Sequence, residues 1–182
     1  MSQERYVALL GSINVGGNRL KMADLRDALE REDFEDVETV VASGNVLFSH
    51  EKRPSEGLSE KIAHIVRERF GIDSFAAVRS EDELERAIDE NPFAADGDPK
   101  FVHTIFLSDE LDRDAFERFA RDYPGPERLA AGKREFYVDF REGVGRSLLD
   151  PAMKKAKVVK GRATARNIRS LRRILEKMRS GG

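Results

Sequence analysis

The chain reads as an α+β protein of two ferredoxin-like (α/β-plait, βαββαβ) subdomains with antiparallel sheets. Three observations predict this. Strand-like and helix-like patterns follow one another as βαββαβ between Tyr6 and Val78. The same element order returns after Lys100, without a residue-level repeat. The chain has 182 residues, of which 40% are hydrophobic, enough for two small sheets each covered by helices on one face.

The elements follow in order. Tyr6–Leu10 is a continuous apolar run, as a buried strand should be. Met22, Leu25 and Leu29 fall at helical spacing. Val37, Thr39 and Val41 alternate, Ser43-Gly44-Asn45 turns the chain, and Val46-Leu47-Phe48 returns, which predicts a hairpin. Leu58, Ile62, Ile65 and Val66 give a second amphipathic helix, stopped by Gly71. Ser74–Val78 closes the first sheet. Ser80 and Glu83 fit a capping box for a helix with Leu84, Ala87 and Ile88 inward, ended by Pro92.

The stretch AADGDPK (94–100) is the best linker, placing the boundary between subdomains 1–97 and 98–182. Phe101–Leu107 then reads as a strand, and Ala115, Phe116, Phe119, Ala120 and Tyr123 as one helix face. Arg128–Ala131 and Glu135–Phe140 form a second hairpin with Phe136, Val138 and Phe140 on one side. Arg146–Ala156 is helical in places, and Val158-Val159 is a candidate short strand. Thr164–Met178 is expected to be the final helix, with Ile168, Leu171, Ile174, Leu175 and Met178 inward.

Composition narrows the chemistry. There is no cysteine, which excludes disulfides, thiolate metal sites and cysteine nucleophiles. No apolar run nears the roughly 20 residues of a membrane span, and the N-terminus lacks a signal-peptide pattern, so a cytoplasmic location is the default. The net charge of −2 hides an asymmetry: residues 145–182 carry 12 Lys/Arg against 2 Asp/Glu, leaving 20 against 32 in residues 1–144. Such asymmetry fits a nucleic-acid surface, and equally two faces of one fold that attract each other.

The glycine-rich stretch after the first strand is the first candidate for binding. Gly11-Ser12-Ile13-Asn14-Val15-Gly16 has P-loop glycine spacing, but Gly17 and Asn18 stand where the Lys and the Ser/Thr belong. The loop thus lacks the cation for the outer phosphates and the metal ligand, which argues against nucleoside-triphosphate hydrolysis. Gly16 and Gly17 can still bring backbone amides close to an anion, with Arg19 and Lys21 nearby. The plain structural alternative is a tight strand-to-helix turn.

These residues resemble a known family. Ile13-Asn14-Val15-Gly16-Gly17, Met22-Ala23, Leu25-Arg26, Ser43-Gly44-Asn45-Val46 with Phe48, Asn91-Pro92-Phe93, Gly143-Val144-Gly145-Arg146-Ser147 and Thr164-Ala165-Arg166-Asn167 occur in the order of the bacterial "domain of unknown function 1697" family. The resemblance spans nearly the whole chain. It implies two ferredoxin-like units and carries no assigned activity. The sequence departs from the family at Gly11-Ser12, where relatives usually have Arg-Gly, and at Ile168, where they usually have Trp. The first departure removes a cation beside the glycine loop.

A second candidate cluster lies in the basic C-terminal fifth. Arg146 and Ser147 follow a flexible Gly-Val-Gly turn, and Thr164 is expected to N-cap the last helix with Arg166 and Asn167 in its first turn. A cation there opposes the helix dipole unless an anion or carboxylate sits beside it. Arg162, Arg166, Arg169, Arg173 and Lys177 would form one basic stripe, which is commonly only a solvated face.

Other chemistry is not visible. His50, His64 and His103 have no partner at metal-ligand spacing, so no metal and no cofactor are expected. Ser12, Ser43 and Ser147 lack a His/Asp partner or nucleophile elbow. The aromatic signatures of RNA-recognition motifs are missing, with Phe48 alone in the relevant strand.

The expected function is therefore a non-catalytic binding protein for an anionic, phosphate-bearing ligand, either nucleic acid or a nucleotide-like metabolite. Its expected contacts are Asn14, Gly16, Gly17, Asn18, Ser43, Asn45, Arg146, Ser147, Arg166 and Asn167. The alternatives are a small metal-independent enzyme working on a small molecule between subdomains, and a purely structural or interaction module. No membrane partner is expected.

Overall fold

The computed structural model of the protein describes residues 2–11, 19–41 and 44–181. The described elements are β1 (Gln3–Gly11), α1 (Met22–Glu30), β2 (Glu35–Thr39), β3 (Asn45–Glu51), α2 (Ser55–Phe70), β4 (Phe75–Ser80) and α3 (Glu81–Asp89). They continue with β5 (Val102–Leu107), α4 (Arg113–Asp122), β6 (Arg128–Ala131), β7 (Glu135–Asp139), α5 (Leu149–Ala156), β8 (Ala163–Asn167) and α6 (Ile168–Ser180). A short 3-10 turn, Val144–Arg146, precedes α5.

Two four-stranded antiparallel sheets form, with strand orders β2-β3-β1-β4 and β6-β7-β5-β8. Each is the ferredoxin-like order. The same order arises twice because each half supplies the same sequence of hairpin and crossovers. Packing divides the chain into Met1–Leu84 with Arg173–Gly182, and Glu85–Arg172.

In the first unit, period-two alternation along β1 sends Tyr6, Ala8 and Leu10 to the helix-covered face, where they join Val46, Phe48, Ala76 and Val78. Leu25, Leu29, Leu58, Ile62 and Val66 close that core from α1 and α2. Phe34 sets its ring edge against Phe48 at 4.9 Å, and Tyr6 stacks on Phe48 at 5.5 Å. Fully burying a side chain such as Phe48 or Leu58 stabilises by about 1.5–3 kcal/mol each. Helix α2 stops at Gly71, whose φ of 65° lets its N–H reach the Arg67 carbonyl at 2.9 Å. The opposite face of the sheet, with Val7, Leu9, Leu47, Ala77 and Arg79, is also buried.

In the second unit, Leu107, Phe136 and Val138, with the partly buried Ile105 and Phe140, pack with Phe116, Phe119, Leu149 and Met153 of α4 and α5. Asp112 N-caps α4 by accepting from the Ala115 N–H.

Both last strands run directly into a capped helix. Ser80 ends β4 and makes the expected capping box: its N–H donates to Glu83 at 3.0 Å, and the Glu83 N–H donates to its Oγ at 3.2 Å. Leu84, Ala87 and Ile88 are buried as expected. Asn167 ends β8, and its Oδ1 accepts from the Ser170 N–H at 2.9 Å.

Two sequence expectations are corrected here. Thr164–Asn167 belongs to strand β8, so the final helix starts at Ile168, and its cap is Asn167 rather than Thr164. Pairing with β5 decides this, since a plait needs a fourth strand beside its first. Val158-Val159 is not a strand; Val158 is buried and Val159 packs against the second core after α5 ends at Ala156, with Lys157 as its cap.

Candidate functional site

The expected site residues fall into three places. Asn14, Gly16, Gly17, Asn18 and Ser43 lie outside the described residues. Around them, the Leu10 N–H donates to the Gly44 carbonyl at 2.8 Å, and Asn45 pairs with Leu9. Gly11 and Gly44, the described residues that border those stretches, therefore lie at the same end of the first sheet. Val41 has a φ of 66°, a left-handed conformation that costs a β-branched residue about 1–3 kcal/mol. Asn45 itself is buried in β3, and its carbonyl accepts from the Val40 N–H.

Arg146 and Ser147 sit elsewhere. Ser147 Oγ donates to Glu127 Oε1 and accepts the Leu149 N–H at 3.1 Å, so it ties the start of α5 to the residue before β6. Glu127 is buried, and its second oxygen, Oε2, has no hydrogen-bond partner among the described residues. The Tyr123 phenol beside this carboxylate is pushed up to about 12, first by burial and then by the hydrogen bond and negative charge of Glu127. Arg146 is exposed and lines a small cavity of about 120 Å³ with Tyr123, Glu127, Ser147 and Phe140. Phe140 packs against the core under α4 and α5, which fixes this cavity on the helix-covered side of the second sheet.

Arg166 lies on the other side of that sheet. In register it stands opposite Thr104, and Thr104 stands opposite Tyr137. Directly paired residues share a face, so Tyr137, Thr104 and Arg166 form one row across β7, β5 and β8. Arg166 Nη1 donates to Thr164 Oγ1 and to the Ala165 carbonyl, both at 2.8 Å. Burial pulls its guanidinium down to about 10, still charged at neutral pH. Tyr137 and Thr104 are buried, at 1% and 0% exposure, and neither hydroxyl has a hydrogen-bond partner among the described residues. The Tyr137 phenol is held above its ordinary value, first by burial and then by the charges of Glu135 and Glu90. Asp139, on the same face, is neutralised by Arg128 at 2.6 Å, and Arg128 also grips Asp96 and stacks over Phe93.

The expectation that Arg166 burdens a helix N-terminus is therefore withdrawn, because Arg166 is a strand residue. Asn167 has a capping role, and its Nδ2 donates to the Lys100 carbonyl at 3.5 Å. The basic stripe expected from Arg162 to Lys177 also loses Arg162 and Arg166, which precede α6. The sequence named Tyr123 only as part of a helix face and did not single out Tyr137, Thr104 or Glu127. For Tyr137 and Thr104 the one signal is a polar residue at an inward strand position, as in EFYVD and VHTIF. Among the described residues, no group of three or more His, Asp or Glu could hold a metal ion, and no helix is long and apolar enough to cross a membrane.

A repeated plait with a polar row in its second sheet defines an α+β protein of the double ferredoxin-like class. The chain belongs to the family described as "Protein of unknown function (DUF1697)", whose model matches residues 3–137. The conserved bacterial protein SP0830 from Streptococcus pneumoniae has a similar solved structure. It matches with a TM-score of 0.76 and 24% identity, over 98% of this chain and 99% of that one. No curated protein matches.

Proposed function

We propose that this protein binds a small phosphate-bearing ligand, a nucleotide-like metabolite, at the Arg166 end of the Tyr137–Thr104–Arg166 row. The observation that carries the reading is the grouping of a partly buried guanidinium with two buried hydroxyls that have no partner among the described residues. A buried hydroxyl without a partner costs about 1–3 kcal/mol. A phosphate paired with the Arg166 guanidinium would bring a charged acceptor to the face that carries both hydroxyls. The negative charge of Glu135 bears on Tyr137 and opposes a polyanion there. That favours one phosphate held at Arg166 over a phosphate chain.

A second reading is nucleic-acid binding along α6, favoured by the exposed Arg169, Arg172, Arg173 and Lys177. The two separate by salt. Adenosine monophosphate and a short single-stranded RNA are titrated at low and high salt, against wild type and Arg166→Ala. Nucleotide binding with shallow salt dependence, weakened tenfold or more by Arg166→Ala, is the expected result. RNA binding that collapses with salt and ignores Arg166→Ala would favour α6. Binding of neither probe at low salt sinks both readings. Segments 12–18 and 42–43 enter the same test through Asn14→Ala and Ser43→Ala, which are expected to weaken nucleotide binding if those loops contribute.

A further inference from the structure

Helices α4 and α5 leave a groove between them. It is about 890 Å³, floored by Ala115, Phe119, Ala152 and Val158 and flanked by Tyr123 and Leu148. It shares Tyr123, Gly125 and Leu148 with the small cavity that holds Glu127 and Ser147, so the two adjoin. Leu148 is 73% exposed and Val144, four residues before it, is 50% exposed. Large apolar side chains held in solvent beside an apolar groove suit an apolar occupant.

The polar end of the groove selects the occupant's head group. Glu127 is buried, with Ser147 on Oε1 and the Tyr123 phenol beside the carboxylate, while Oε2 has no hydrogen-bond partner among the described residues. A bare buried carboxylate oxygen calls for a donor, and a charged donor most of all. The small cavity carries Glu127 and Glu142 against Arg146, so its balance favours a cation. In the groove proper, Arg118 and Asp122 offset each other. A guanidinium prefers both carboxylate oxygens in a fork, and one is already taken. An ammonium needs only a single acceptor.

We propose that this groove is a binding site for a small primary amine with an apolar body. Its ammonium donates to Glu127 Oε2, and its chain lies on Phe119, Leu148, Ala152 and Val158. The site lies on the helix-covered side of the second sheet and is independent of the phosphate site at Arg166.

The probes are n-hexylamine, 1-hexanol as its neutral counterpart and hexanoate as its charge-reversed counterpart. Each is titrated into the full chain and followed by amide chemical shifts. Hexylamine is expected to shift Gly125, Leu148 and Ala152 and to bind at least tenfold more tightly than hexanol, with hexanoate weakest. Glu127→Gln should remove the preference for hexylamine over hexanol. Leu148→Ser, at an exposed position where folding is not at stake, should weaken both probes while keeping their ratio. Equal binding of hexylamine and hexanol to wild type overturns the proposal, as does hexylamine that shifts none of these amides. A Glu127→Gln protein that folds and keeps the tenfold preference also overturns it. If Glu127→Gln does not fold, the hexylamine-to-hexanol ratio in wild type and Leu148→Ser decides.

Discussion

The two sheets place different chemistry in the same row. In the first, Val7 pairs with Leu47 on one side and Arg79 on the other; in the second, Thr104 pairs with Tyr137 and Arg166. Two residues on, along the same face, the rows are Asn45–Leu9–Ala77 and Glu135–Phe106–Thr164. Both penultimate arginines donate Nη1 to the carbonyl of the residue before them, Arg79 to Val78 at 2.9 Å and Arg166 to Ala165 at 2.8 Å. The backbone and the arginine are thus kept in both halves. In that row the first sheet sets Val7 and Leu47 beside its arginine, where the second sets the hydroxyls of Thr104 and Tyr137. A row whose neighbours are apolar serves packing. A row with unsatisfied donors is held for something else, since stability alone would favour Val and Leu there.

The sharpest way to break this comparison is to truncate the two arginines. Arg79 is 2% exposed, and Arg79→Ala strands its buried partners and opens a cavity, an expected loss of about 3 kcal/mol by urea denaturation. Arg166 is partly exposed, and Arg166→Ala should cost less than about 1 kcal/mol while removing phosphate binding. Equal losses would mean that both arginines are structural.

The next test exchanges the row centres. Val7→Thr should destabilise by about 1–3 kcal/mol, because its hydroxyl would be buried among hydrocarbon. Thr104→Val removes an unpartnered hydroxyl and should be neutral or stabilising by up to about 1 kcal/mol, with weaker nucleotide binding. A marked loss of stability in Thr104→Val would show that its hydroxyl is needed by the fold.

Smaller still is the shared feature, the cap. Ser80→Ala and Asn167→Ala should each cost about 1 kcal/mol in thermal or urea unfolding. Similar values would confirm that the strand-to-helix junction is one device used twice.

The smallest effect is titration. His103 occupies in β5 the place Tyr6 holds in β1. Burial depresses its imidazole below the ordinary 6.5, partly offset by its bond to the Phe101 carbonyl. The folded protein then holds that proton less tightly than the unfolded chain. Its contribution is full above pH 6.5 and is lost as pH falls through the depressed value. The Tm should drop between about pH 7 and pH 5, and His103→Tyr should shrink that drop. An unchanged drop would assign the acid sensitivity to other groups.

Most of the fold is legible because local signals and tertiary structure agree. The hairpins, the Gly71 stop and the Ser80–Glu83 box each depend on neighbours in sequence. Strand β8 is not legible, because Thr-Ala-Arg-Asn has no alternating apolar pattern and leads into a strongly periodic helix. Only the free edge of β5, 56 residues upstream of Ala163 at Leu107, makes it a strand. Val158-Val159 errs in the opposite direction: β-branched residues suit strands, but no edge is available to them. The candidate sites are legible only as isolated basic residues. Tyr137 and Thr104 are marked by pairing in register, which a single sequence does not reveal. The bond between Ser147 and Glu127 likewise joins residues from two separate loops.

The division of packing has a consequence for biosynthesis. The first unit takes its last part from Arg173–Gly182, where Arg179 pairs with Glu81 at 3.0 Å. Those residues leave the ribosome after the whole of the second unit. The half made first must wait, incomplete, until the half made second has already emerged. Stalling or clipping the chain just before Arg173 should thus spare the later-made unit and expose the earlier one to proteases, the reverse of the usual order in which domains mature.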